Sequence, residues 1–146
     1  MVEFLAVAAL LVTTLLSVVQ LSFLYAGKGA VETAAHFAAR SFARTARTDY
    51  LRARTEALRV ATEGCAIRPG GKGSSIAGTV VRVERADGVN VRPSEGEAWV
   101  VRLTHAFELT VPMVGPVLYA VAPVPKVRVG SRFLLYLRSA RVVTVE

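Results

Sequence analysis

The chain runs through three hydrophobic rhythms. Phe4 to Gly27 (FLAVAALLVTTLLSVVQLSFLYAG) is uncharged and mostly apolar. It suits a membrane span of about 20 residues. Five polar residues, Thr13, Thr14, Ser17, Gln20 and Ser22, interrupt it, as expected of a span that also packs against protein. From Ala30 to Glu63 the chain is rich in Ala, Arg, Leu and Glu and contains neither Pro nor Gly, a composition that favours helix. Phe42, Ala46, Tyr50, Ala53, Ala57 and Val60 form an apolar stripe at three- and four-residue spacing, while Arg40, Arg44, Arg47 and Arg54 form a basic face. One helix from Glu3 to Glu63 would be about 90 Å long. Gly27 and Gly29, flanking Lys28, are the predicted bend or melted turn, and Gly64 the predicted stop.

Beyond residue 75 the rhythm becomes alternating. Trp99, Val101, Leu103, Phe107, Leu109 and Val111 share one face and Arg102, Thr104, Glu108 and Thr110 the other, which predicts a half-buried strand. Thr79 to Arg85 is a shorter strand ending at Asp87-Gly88, with a brief return through Val89 to Arg92. Val127 to Val145 is a last strand region with a break near Gly130-Ser131. Between the long strands, Pro112, Pro116, Pro123 and Pro125 predict a loop. The expected fold is α+β: a long N-terminal helix, then a small antiparallel sheet packed on the helix's C-terminal half. The expected units are residues 1–26 as transmembrane or filament-core helix, 27–64 as helix extension, 65–75 as Gly-rich linker and 76–146 as sheet head.

Charge and motifs narrow the function. Of the 18 basic residues 15 are Arg, spread from Arg40 to Arg141, and the formal net charge is +7. A solvated basic surface suits anionic partners. The basic loop Ile67 to Ser75 resembles a phosphate-binding loop only loosely, because Lys72 is followed by Gly73 rather than Ser or Thr and the strand-loop-helix context is missing. It is read as a linker. A lone cysteine, Cys65, allows no intrachain disulfide and is expected to be a buried apolar side chain. His36 and His105 lack partners at metal-site or triad spacing, so no enzyme, metal or cofactor is expected.

Glu3 is costly at the edge of an apolar run unless it has a partner. No Lys or Arg precedes the run and helix-forming sequence follows it, so a retained anchor is expected rather than a signal peptide. The positive-inside rule, applied to Lys28, Arg40, Arg44 and Arg47, holds the head in the cytoplasm; a removed cationic leader would reverse that.

Met1-Val2-Glu3-Phe4 before the apolar run, Tyr25 near its end, the helix through Ala34-Ala35 and Ala38-Ala39-Arg40, and a late proline-interrupted strand pair resemble TadE-like proteins. These are pseudopilins of tight-adherence (Tad, or Flp) pili, distant relatives of type IV pilins. The resemblance implies a structural subunit, major or minor, of an extracellular filament. Its partners would be copies of itself, other pilins, a prepilin peptidase and the assembly machinery, with storage in the inner membrane, head outward, before assembly. Glu3 and Phe4 match the family's glutamate and neighbouring aromatic, although the glutamate stands two places earlier than the pattern has it. In such filaments the glutamate meets the N-terminal amine of a neighbouring subunit and sets register. Adhesion through the sheet or the Pro-rich loop is compatible with this reading. The alternative is a bitopic binding module whose Arg face engages anionic lipid or nucleic acid, the latter being the weaker form because aromatics for base stacking are sparse there.

Overall fold

The computed structural model describes residues 2–66, 78–87, 93–111 and 113–146. The fold is α+β, with a long apolar N-terminal helix and a curled four-stranded antiparallel sheet packed on the helix's C-terminal half. The order of elements is α1 (Val2–Thr45), α2 (Tyr50–Ala66), β1 (Thr79–Arg85), β2 (Ala98–Glu108), α3 (Val114–Val121), β3 (Lys126–Val129) and β4 (Arg132–Thr144).

The helical region is two helices, not one. α1 runs without interruption through Gly27 and Gly29, so the melted turn expected there does not form. The break falls instead at Ala46 to Asp49. Thr48 and Asp49 both donate backbone N–H bonds to the Thr45 carbonyl (3.2 and 3.1 Å), and the Asp49 carboxylate accepts the Arg52 N–H at 3.0 Å. Asp49 is thus an N-cap, a role worth about 1 kcal/mol to the helix that follows. α2 then folds back along α1: Tyr50 meets Phe42 edge to face at 6.1 Å, and Gly64 lies against Ala34. Gly64 is not a stop, because α2 continues to Ala66, and its missing Cβ is what lets the two backbones approach. In place of a 90 Å rod, α1 alone extends about 66 Å.

This hairpin shifts the apolar stripe. Val31, Ala34, Ala35, Ala38, Phe42, Ala46, Ala53, Ala57, Ala61 and Cys65 are buried together, whereas Val60 is only half-buried. The ladder Ala53, Ala57, Ala61, Cys65 repeats every four residues and gives α2 a narrow seam of small side chains against α1. Cys65 and Ala66 therefore sit in the last turn of α2, not in a linker, and the rest of the predicted linker, residues 67–75, lies outside the described residues.

The sheet order is β1-β2-β4-β3. β1 matches its predicted span, with Thr79 opposite His105 and Arg85 opposite Trp99. The return predicted for Val89 to Arg92 lies outside the described residues. β2 pairs along its whole length with β4, from Ala98↔Thr144 to Glu108↔Leu134. Trp99, Val101, Leu103, His105 and Phe107 turn inward together, as the alternation requires. The expected break at Gly130-Ser131 is the tight β3–β4 turn, with Gly130 at φ +59°. The proline-containing stretch is not all loop. α3 forms inside it because Pro116 stands in the helix's first turn, where a backbone N–H would have no intrahelical partner.

Two apolar cores hold the layers together. In the larger, Trp99 lies 5.7 Å from Phe42 and 5.9 Å from Tyr50, closing the helix hairpin over the sheet. The smaller joins Phe107, Leu109 and Leu135 to Leu24 of α1 and to Leu118 and Tyr119 of α3. The head consequently also touches α1 at Leu24, on the anchor side of residue 26.

Candidate assembly helix and basic surfaces

The first half of α1 is largely unpartnered among the described residues. No described residue before Gln20 is buried, and Phe4 is 76% and Leu10 69% exposed. By length and composition α1 is able to cross a membrane. Glu3 and Phe4 both project from its first turn. An anion in that position interacts favourably with the helix dipole, by roughly 0.3–1 kcal/mol at an exposed site.

The polar residues of this segment divide into two kinds. Thr13, Thr14, Ser17 and Ser22 each donate a hydroxyl bond to the carbonyl four residues earlier, at 2.8, 2.8, 2.8 and 2.9 Å. Such hydroxyls are satisfied within the helix, so they can face lipid or a neighbouring helix without an outside hydrogen-bond partner. Gln20 is different. It is fully buried, and its Oε1 accepts the Val111 backbone N–H at 2.8 Å, tying α1 to the segment that leaves β2. Its Nε2 is buried with no hydrogen-bond partner among the described residues. Sequence reasoning grouped Gln20 with the hydroxyls; its length, which reaches beyond the helix's own carbonyls, is the signal that separates it.

The predicted basic face is divided by the turn at Ala46–Asp49. Arg40 and Arg44 of α1 line one groove with Arg52 and Glu56 of α2. Arg47 lies in the turn and pairs with Glu95 at 2.7 Å, while Arg54 is exposed on α2 away from that groove. Beside them Glu56 is held below the usual carboxylate range, chiefly by its hydrogen bonds from Arg59 at 2.6 and 3.1 Å.

A second basic surface lies on the open face of the sheet. Arg82 of β1 stands directly opposite Arg102 of β2, and Arg138 of β4 opposite Thr104. With Val80 and Tyr136 they line a depression of about 580 Å³. Glu84 approaches Arg102 only to 3.6 Å. Like charges directly across a strand pair are unfavourable, so this face is poised to accept anions. Each arginine is visible in the sequence, but their convergence depends on a register that sequence does not supply.

His36 is exposed and lies 5.9 Å from the Phe37 ring. His105 is fully buried with its Nδ1 2.8 Å from the Thr79 hydroxyl, which makes it a hydrogen-bonded core residue. Cys65 is fully buried. Among the described residues no group of three or more His, Cys, Asp or Glu side chains is placed to hold a metal ion. Comparison with protein-family models, curated proteins and solved structures finds no match to this chain.

Proposed function

We propose that this chain is a pilin-like subunit of the TadE-like kind, stored in the inner membrane by the first half of α1 and packed through the same helix into an extracellular tight-adherence filament. One observation carries the reading. The apolar surface from Phe4 to Val19 is attached to a compact head, yet no described residue of the head buries it. A surface of this kind requires lipid or other apolar helices. The bilayer is its cover before assembly, and neighbouring copies of α1 are its cover afterwards. Glu3, at the tip, supplies the charge that sets register against a neighbour's N-terminal amine. Removing one member of a buried ion pair costs roughly 3–5 kcal/mol, so mismatched registers are strongly penalised.

The test compares Glu3→Ala with the native residue in cells that assemble the filament. The variant is expected to insert in the membrane at normal levels and to be missing from filaments. Normal incorporation of the variant would overturn the role given to Glu3.

A second reading, a membrane-anchored binding module, is favoured by Arg82, Arg102 and Arg138 on the open sheet face. It requires affinity for an anionic partner to fall steeply with salt, and to fall again in Arg82→Ala/Arg102→Ala.

A further inference from the structure

We infer that α3 and the β3–β4 turn form a membrane-facing collar, and that its partner is the anionic headgroup layer of the bilayer that α1 enters. The inference rests on the anchor reading of α1.

Position comes first. β4 runs alongside α1: the Glu146 N–H reaches the Ala43 carbonyl at one end, and toward the other Leu24 packs against the cluster that holds Leu135. Continuing past Leu135 leads to the turn at Gly130-Ser131, which therefore lies at the end of the head from which the uncovered stretch of α1 emerges. α3 lies at the same end, since Leu118 and Tyr119 share the Leu24 core.

The membrane boundary falls at this level by two separate measures. By burial, α1 is uncovered as far as Val19, about 27 Å of helix from Val2. By polarity it stays uncharged from Phe4 to Gly27, with Leu21, Phe23 and Tyr25 exposed. A hydrocarbon core is about 30 Å thick, so its edge comes between Gln20 and Tyr25, where α3 is docked. Tyr25 and then Lys28, both exposed, follow the usual order of an aromatic and a cation at a membrane exit.

The collar's chemistry suits that place. Val117 and Val121 of α3 are 62% and 70% exposed, and Val129 beside the turn is 57% exposed. Lys126 lies at the end of α3, and Arg128 and Arg132 stand at the β3–β4 turn with Val129, Arg132 being 3.6 Å from Glu108. The Lys126 Nζ donates to the Tyr119 and Ala120 carbonyls at 2.7 and 3.0 Å, so the end of α3 is capped by a cation. Exposed valines with cations beside them fit the boundary between acyl chains and anionic headgroups, where both are stabilised.

The experiment uses the full chain in liposomes containing about a third anionic lipid. A Cys65→Ala background carries single cysteines at Leu10, Leu51, Val117 or Val121, each labelled with an environment-sensitive fluorophore and quenched by nitroxide lipids. Labels at Val117 and Val121 are expected to shift to the blue and to be quenched most by headgroup-attached nitroxides. The Leu10 label should respond to deep acyl-chain nitroxides, and the Leu51 label to neither. Arg128→Gln with Arg132→Gln is expected to reduce quenching at Val117 at least twofold. A deep Leu10 label with aqueous labels at Val117 and Val121 overturns the collar and leaves the anchor standing. An aqueous Leu10 label overturns the anchor reading itself. Protection of Val117 that rises with protein density and is indifferent to anionic lipid overturns the proposal in favour of a second copy as the occupant.

Discussion

Gly64→Ala is a demanding test of the helix hairpin, because it sets helix propensity directly against packing. Taken alone, replacing a helical Gly by Ala stabilises by up to about 1 kcal/mol. At this position the new Cβ would lie 2.8 Å from the Ala34 Cβ and 3.3 Å from its Cα. Comfortable carbon contacts are about 3.5–4.0 Å, so α1 and α2 must separate by roughly 1 Å at this point. Ala34 has no flexible end that can swing away. Overpacking of this kind costs about 1–3 kcal/mol. Net destabilisation of about 1 kcal/mol is expected, read in detergent as a lower denaturant midpoint of the fluorescence of Trp99, the buried single tryptophan of the shared core. Ala34→Gly should also cost about 1 kcal/mol, but the pair Ala34→Gly/Gly64→Ala moves the methyl across the seam and should return close to the parent. Additive losses in the double variant, or a single Gly64→Ala more stable than the parent, would refute close contact between the helices here.

Three further predictions follow from the local chemistry. Gln20→Leu leaves the buried Val111 N–H without its acceptor, so the head should lose about 1–3 kcal/mol, with faster amide exchange at Val111 than at Val101. Asp49→Ala removes the cap of α2 and should cost about 1 kcal/mol, whereas Asp49→Asn should cost little, both read by chemical denaturation. The Glu97 carboxylate is held below its usual range, first by hydrogen bonds from Ser94 and then by Arg85, so its contribution is full above the ordinary carboxylate range near pH 4 and is lost as pH falls from there through its lowered folded value. Glu97→Gln should flatten the acid limb of a midpoint-against-pH curve, modestly, because solvent screens the group.

What was readable in the sequence follows physical rules about which signals are local. The β2 alternation and the β1 span were readable because a half-buried strand writes its two faces every second residue. The sheet's cover was also readable, since one amphipathic helical region was available to supply it. The helix turn was overlooked although Asp49 is a capping residue, because the apolar stripe continues through Phe42, Ala46 and Tyr50 across the break. Proximity in space kept the stripe going where the helix did not. Gly27 and Gly29 misled in the opposite sense: their propensity cost of about 1 kcal/mol each is small beside the cost of breaking the run of hydrogen bonds in a continuous helix. α3 was hidden by Pro116, which is harmless only in a first turn. The role of Gln20 and the convergence of Arg82, Arg102 and Arg138 depend on tertiary register and have no local signature.

The central claim is that the uncovered half of α1 serves first as an anchor and then as a filament core. The most direct measurement is mass spectrometry of filaments sheared from the cell surface, compared with the membrane fraction of the same cells. The account predicts the intact α1 sequence, Glu3 included, in both fractions, with a processed N-terminus just ahead of Glu3 in the sheared material. Confinement of the chain to the membrane fraction, or a protease-protected head on the cytoplasmic side, would contradict it.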